Sequence, residues 1–591
     1  MPSPVATSEP DRSGSAAAFW WRDLLLLALW IGILYAVPLG TRALWSPDEG
    51  RYAEIPREMV ASGDWVTPRL DGVKYFEKPA LVYWVVAASI ELFGLKEWSV
   101  RLGPALLAIL GCLAVYGAGR RLFGRRAGLL AAAVLATTPL YFGLGVALTL
   151  DMAVSVFLTA GLLAFLVGLR EPPGDLGSHR RLWFWAFYAC AALATLTKGL
   201  IGILIPGMVI FAFLLLFREW RLLRTFHLPS GIGIFLLIAL PWHLLVIRTY
   251  PDFAYFYFVH EHLLRYATRV HQRYQPFWFF VPILFAGMVP WSAFLVQAVR
   301  RSWRLPWRAR EASAEDRDGI FLLLWAGLVF AFFSFSSSKL VPYILPVVPP
   351  LALLIGRYLA EIWEEEEAAG RRPFWFLLAS GAGVASVLLV LPHASRDPRV
   401  LHNLDLIGWH LYALAAALLL AAVVPFVLRY RAGFRAALVA LAATTSLFLL
   451  VLGTSLSGVD ADRSVKSLAA IVKPRLRPAD EVMTYRCYPQ DLPVYLERRV
   501  TIAAWKGELE FGAAAEDTSA WMIDRGAFWQ RWSSPRRIYL VTEDAFYRRD
   551  LAPAAAAGRG SFYLLGRSGD NLLLTNQPPE PAQPPEAAPK P

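Results

Sequence analysis

Leu24-Leu25-Leu26-Leu27-Ala28-Leu29-Trp30-Ile31-Gly32-Ile33-Leu34-Tyr35-Ala36-Val37-Pro38-Leu39 is an unbroken apolar run near the start of the chain. No small-residue cleavage site follows it, so it reads as a retained helix rather than a signal peptide. Runs of ~17–25 apolar residues, long enough to cross the hydrocarbon core as helices, recur through the first three quarters of the chain. Over its 591 residues the protein is 57% hydrophobic and only 18% charged. Soluble proteins carry roughly a quarter charged residues, so the pattern is that of a polytopic membrane protein.

Orientation follows from the arginines. They cluster at Arg120, Arg121, Arg125 and Arg126; at Arg170, Arg180 and Arg181; and at Arg218, Arg221 and Arg224. Further clusters lie at Arg300–Arg310, Arg371–Arg372 and Arg429–Arg435. Two apolar spans separate each cluster from the next, as the positive-inside rule requires of cytoplasmic loops. The net charge of +12 is largely this bias, which argues against a nucleic-acid partner. The implied spans are 24–40, 100–119, 127–147, 151–169, 182–198, 199–217, 229–248, 276–299, 319–337, 340–360, 374–392, 409–428 and 436–457. That is about thirteen helices in an all-α membrane domain over 24–457, with residues 1–23 as a cytoplasmic tail. The apolar stretch from Ala80 to Phe93 is short and carries Glu91. It reads as an interfacial helix in an outer loop, 41–99.

After Gly458 the pattern changes. Helix-like Ser464–Leu476 and strand-like Glu481–Tyr485, Arg537–Val541 and Ser561–Leu565 predict a small α/β domain over 458–576 on the outer side. A tail over 577–591 is rich in Pro and Ala. The three cysteines, Cys112, Cys190 and Cys487, offer neither a disulfide framework nor zinc spacing.

This topology gathers the ionisable residues on the outer face. Ser46-Pro47-Asp48-Glu49-Gly50-Arg51-Tyr52-Ala53-Glu54 stands at the mouth of the first span, with Tyr75-Phe76-Glu77-Lys78-Pro79 soon after. Asp151, Lys198, Glu261, His262, Arg265, Lys339 and Tyr343 fall on the same side. The helix interiors are nearly free of charge, which disfavours an ion-coupled transporter. Ser46, Pro47 and Glu49 match a capping box, so Glu49 and its neighbour Asp48 have a purely structural reading as first-turn acids. Asp151 has no such pattern around it; a carboxylate between Leu150 and Met152 needs a cation or a wet cavity. Arg51 and Lys78 either snorkel to headgroups or bind phosphate. His260-Glu261-His262 and Asp460-Ala461-Asp462 are short matches to metal and sugar-nucleotide patterns with little specificity.

These residues, in this order, resemble the lipid-linked glycosyltransferases of the GT-C class, the superfamily of the protein mannosyltransferases. The likeness is strongest to the branch that moves aminoarabinose onto lipid A. The matching stretches are Leu44 to Ile55, Gly63-Asp64-Trp65-Val66, Tyr75 to Pro79, Thr197-Lys198-Gly199, Glu261-His262, Pro276-Phe277-Trp278 and Lys339 to Leu345. The resemblance implies GT-C architecture, a polyprenyl-phosphate sugar donor, a lipid A-like acceptor and an inner-membrane location with the site facing the periplasm. It implies Asp48 in the catalytic centre with Asp151 supporting it. Arg51, Tyr75, Lys78, Arg265 and Tyr343 would surround the donor phosphate, with Glu49, Glu77, Lys198, Glu261, His262 and Lys339 as supporting groups. No cofactor is required, although Glu77 can join a divalent-metal contact in the family. The chain departs at Gly50, where relatives often have Thr, and at Ser336-Ser337-Ser338 before Lys339. Transfer of a hexose or uronic acid, and lipid flipping, remain as alternatives.

Overall fold

A computed structural model describes residues 12–172, 178–257, 274–304, 306–307, 312–363, 370–396 and 398–579. The opening run lies in a helix, Arg12–Ala36. Its Leu27, Ile31, Leu34 and Tyr35 are buried, while Leu25, Leu26, Leu29 and Ile33 are more than half exposed. One stripe therefore packs inward, and the other presents leucine to the surroundings, as a lipid-facing helix does. Among the described residues, eight helices are long and apolar enough to cross a membrane, or ten if two bent pairs each count as one span. The protein is a multi-pass membrane protein, but the count stops short of thirteen.

The shortfall has local causes. The expected span 127–147 is two helices, Arg125–Ala136 and Pro139–Gly145, bent by 65°. The expected span 276–299 breaks more sharply, with Phe280–Gly287 and Ser292–Trp303 meeting at 110°. In both, a proline at the break (Pro139, Pro290) removes a helical donor. Ile201–Phe217 is only 17 residues long. Arg180–Lys198 begins on two arginines and ends on a lysine. Helices cross closely where glycine allows it: a Cβ on Gly356 would lie 2.6 Å from Ala131 N, and one on Gly128 2.7 Å from Arg120 N. Such small-residue contacts are the normal way to join helices in lipid.

The basic clusters meet at one end of the bundle. Arg125 binds Asp23 at 2.6 Å and Arg317 binds Glu219 at 2.6 Å. Arg121 lies over Trp183, Arg371 over Tyr430 and Arg435 over Trp363. The 41–99 segment sits at the other end. It holds the helix Asp48–Ser62, a hairpin of β1 (Arg69–Leu70) and β2 (Val73–Lys74), and the 13-residue helix Leu81–Phe93. At 1.5 Å per residue that helix spans about 20 Å, too short to cross.

The C-terminal region forms a six-stranded sheet in the order β5-β4-β3-β6-β8-β7. These are β3 (Glu481–Tyr485), β4 (Thr501–Ala503), β5 (Met522–Ile523), β6 (Ile538–Glu543), β7 (Tyr563–Ser568) and β8 (Asn571–Thr575). β3 runs parallel to both β4 and β6, and β8 returns antiparallel to β6. β3 is buried along its whole length, as a central strand covered on both faces should be.

Candidate active site

The segment before the Asp48–Ser62 helix has no regular structure, and its backbone is satisfied from elsewhere. Ser46 N donates to Arg463 O at 2.9 Å, Ala43 N to Asp460 Oδ2 at 2.8 Å, and Leu44 N to Tyr495 Oη at 2.7 Å. Trp45 Nε1 donates to the other oxygen of Asp460 at 2.8 Å. Asp460 thus fixes the loop, which accounts for one acid of the Asp460-Ala461-Asp462 triplet.

The expected capping box does not form. Pro47 occupies the cap position and no side chain caps the helix. Ser46 Oγ turns instead to Asp491 of the C-terminal region. Glu49 is drawn inward by two arginines. Arg101 Nε and Nη2 donate to its two oxygens at 2.8 Å each, and Arg42 Nη2 donates at 3.0 Å. Leu148 N and Trp45 N add bonds at 3.0 and 3.1 Å. Burial alone would raise this carboxyl; Arg101 and Arg42 outweigh it and hold it at about 2. Glu49 is therefore a buried node that ties Arg42, Arg101 and the backbone of Trp45 and Leu148 together.

Asp48 differs from it completely. Its side chain is 61% exposed, against 5% for Glu49. Its partner is Arg51 Nη1 at 3.2 Å. Arg51 is itself half-buried, pairs through Nη2 with Glu508 at 2.5 Å, and lies over the rings of Tyr52 and Tyr75. Gln490 Nε2 donates to Glu508 Oε1 at 2.8 Å. The C-terminal region thus supplies the counter-charge for a cation placed on the phosphate side by sequence. Its strand and loop positions carried no signal that could have identified Glu508.

Tyr52 is the second residue that sequence reasoning missed. Burial pushes its hydroxyl well up; Arg51 opposes, while Asp48, Asp151 and Glu77 all add to the rise. The charges of all three acids are thus felt at one tyrosine. Asp48 and Asp151 do not bond to each other in the structure. Asp151 pairs with Lys198, whose ammonium stands 4.7 Å from the centre of the Tyr343 ring. Lys78 Nζ donates to Glu77 O at 2.7 Å and lies 3.9 Å from its carboxylate. Tyr75 is buried beside this pair and feels Glu77 and Arg51. Lys339 is pinned by the carbonyls of Ser336 at 2.6 Å and Gln275 at 2.9 Å. That role is structural: it anchors the segment leading to Tyr343. Arg265, Glu261 and His262 lie outside the described residues. Among the described residues no group of three His, Cys, Asp or Glu side chains is placed to hold a metal ion.

Three acid–base pairs thus belong to this region: Asp48 with Arg51, Glu77 with Lys78, and Asp151 with Lys198. Cations of this kind bind and stabilise phosphate, and exposed carboxylates beside them orient a second group.

Comparison with known proteins places the chain in a family. Residues 77–244 match the family described as dolichyl-phosphate-mannose-protein mannosyltransferase, and residues 468–553 match the aminoarabinose transferase C-terminal domain. The undecaprenyl phosphate-alpha-4-amino-4-deoxy-L-arabinose arabinosyl transferase of Edwardsiella ictaluri is 37% identical over 369 residues, 62% of this chain and 64% of that protein. The Pseudomonas aeruginosa PAO1 protein of the same name is 37% identical over 57% of this chain and 59% of its own length. The chain therefore spans somewhat under two thirds of these relatives in sequence. The crystal structure of ArnT from Cupriavidus metallidurans bound to undecaprenyl phosphate superposes with a TM-score of 0.82 at 31% identity, covering 95% of this chain and 98% of that one.

Proposed function

The chain belongs to the ArnT family of aminoarabinose transferases, and from that premise we propose that it transfers 4-amino-4-deoxy-L-arabinose from undecaprenyl phosphate to a phosphate of a lipid A-like acceptor. The observation that carries this reading is the match, over nearly the whole of both chains, to a relative whose structure holds undecaprenyl phosphate. The protein would sit in the bacterial inner membrane with the Asp48 end of the bundle facing the periplasm, opposite the arginine clusters.

The donor is a phosphodiester. Transfer breaks the bond from the anomeric carbon to the donor phosphate oxygen and forms one to the acceptor oxygen, with inversion in a single displacement. The leaving undecaprenyl phosphate gains negative charge as the bond opens. Lys78 and Arg51, with Arg265, would stabilise it, an interaction strongest in the transition state. Tyr75 and Tyr343 would wall the phosphate. An acceptor phosphate is already ionised near neutral pH, so Asp48 has no proton to remove. Its role is to orient the acceptor and balance positive charge at the anomeric carbon, with Asp151 and Lys198 fixing the opposite side.

Purified protein offered a panel of polyprenyl-phosphate sugars with lipid A tests the reading. Aminoarabinose transfer to lipid A is the expected product. Transfer of a hexose or uronic acid alone would replace the sugar assignment. Movement of labelled lipid across proteoliposomes without any glycosylated product would replace the enzyme with a flippase.

A further inference from the structure

Outside the Asp48 cluster the chain carries a polar cavity in its C-terminal region, and its position in the sheet gives it meaning. In the order β5-β4-β3-β6 the chain leaves β3 towards β4 and β5, then crosses back to place β6 on the other side of β3. The carboxyl ends of β3 and β6 therefore flank a topological switch point, the place where open α/β sheets bind ligands. A crevice of about 360 Å³ opens there. Arg486 and Gln490 follow β3 into it, Trp505 follows β4, Glu543 ends β6, and Asn571 starts β8 at the same edge. Backbone strain collects at this edge as well. Arg486 and Ala504, the residues just past β3 and β4, hold left-handed φ values of 57° and 55° without being glycine.

Two further boundaries matter. Ser46 and Pro47 line the crevice, so its wall runs directly into Asp48. Asp462 and Arg463 line it too, at the very end of the span-length segment Gly433–Arg463. The crevice is thus at headgroup depth and next to the reacting end. Its chemistry suits a sugar phosphate: guanidinium groups of Arg463 and Arg486 for phosphate, the Glu543 carboxylate and Asn571 amide for hydroxyls, and the Trp505 ring for an apolar sugar face, while the other two lining acids, Asp462 and Asp491, are engaged by His402 and by Ser46 and Ser464. Glu543 and Arg463 form no ion pair among the described residues, whereas Arg486 is held through Nε by Asp550 at 3.2 Å.

We propose that this crevice binds the phosphorylated saccharide headgroup of the acceptor and presents it to the Asp48 site. The proposal rests on the transferase reading for its acceptor, but the crevice's affinity does not depend on turnover. The test uses the full chain in nanodiscs with two probes. One is lipid A in the transfer assay; the other is its deacylated bisphosphorylated glucosamine disaccharide in a direct calorimetric titration. Arg463→Gln and Glu543→Gln are both at the open edge, and their unfolding temperatures are measured beside the wild type.

The expected result is a rise of about tenfold in KM for the acceptor, the loss of one charge-assisted hydrogen bond, with kcat and donor KM retained. Disaccharide binding falls in parallel. An adjacent-site role confined to lipid tails would leave the disaccharide unbound by the wild type, and that overturns the proposal. Unchanged acceptor KM in both variants also overturns it, as does an equal rise in donor and acceptor KM. A wild type that binds the disaccharide, loses it in the variants and yet transfers nothing to lipid A would retire the transferase reading while leaving the saccharide site standing.

Discussion

The two walls of the Asp48 site are built differently. The first, residues 42–75, is tied to the C-terminal region at many points: Ser46 to Asp491, Trp45 to Asp460, Leu44 to Tyr495, Arg51 to Glu508 and Asp71 to Val500 N. Gly50 packs so tightly that a Cβ there would lie 2.4 Å from Asp491 N. The second wall joins three helical elements through a lysine, with Asp151 on one side of it and the Tyr343 ring on the other. The first wall can hold charge in a fixed place, which is what stabilising a leaving phosphate requires. The second has a cation whose partner can change when a phosphate arrives. The C-terminal region therefore fixes the position of the first wall.

The strongest way to break this contrast is Arg101→Met. It leaves Glu49 buried with half its counter-charge, which should destabilise the outer half by about 3–5 kcal/mol. A denaturant titration in detergent checks this, and an unchanged midpoint would mean the Glu49 node does not hold the wall. Lys78→Ala comes next. If Lys78 serves the reaction as proposed, the substitution should lower kcat about a hundredfold while the unfolding midpoint stays at the wild-type value. Tyr343→Leu, on the second wall, removes the ring beside Lys198. The expected loss is about 1 kcal/mol, roughly fivefold in turnover, and wild-type turnover would argue that Lys198 is positioned by Asp151 alone.

The smallest effect is on pH, and it sharpens the picture within the first wall. Glu49 is held at about 2. Its contribution to stability is complete above the ordinary 4.5 and is lost only as pH falls towards 2. Two other carboxyls of this wall, Glu54 in the middle of the same helix and Asp71 in the hairpin turn, behave in the opposite way. Burial raises Glu54 well above 4.5 despite its pair with Arg57, and raises Asp71, whose Oδ2 has no partner, well above 3.8. A carboxyl raised on folding stabilises below its unfolded value and loses that contribution as pH climbs through the folded one. Amide exchange over residues 42–75, corrected for the intrinsic rate, should therefore show greater protection on acidification from neutral to about 4.5. Protection that declines steadily over that range would contradict the assignment.

Much of this was legible in the chain and some of it was not. The apolar runs, the arginine clusters, the Ser46–Glu54 and Tyr75–Pro79 blocks and the late strand-like runs Glu481–Tyr485 and Arg537–Val541, the second of which forms a strand over Ile538–Glu543, are local patterns, and local patterns survive in sequence. Glu49 was not legible. Its position matches a capping box, but its partner Arg101 is 52 residues away, and a buried pair of guanidiniums outcompetes an exposed cap. The pairing of Asp151 with Lys198 rather than Asp48 and the reach of Glu508 to Arg51 are long-range for the same reason. The bends at Pro139 and Pro290 were not legible, because runs of continuous hydropathy carry no bend angle.

The central claim is that the Asp48 site adds an aminopentose to lipid A. The most direct test expresses the chain, and its Asp48→Asn variant at matched abundance, in a bacterium lacking its own aminoarabinose transferase but still making the donor, and weighs the lipid A. The account predicts the mass of an added aminopentose with the wild-type chain and unmodified lipid A with Asp48→Asn. Unmodified lipid A from both, or the same addition from both, would contradict it.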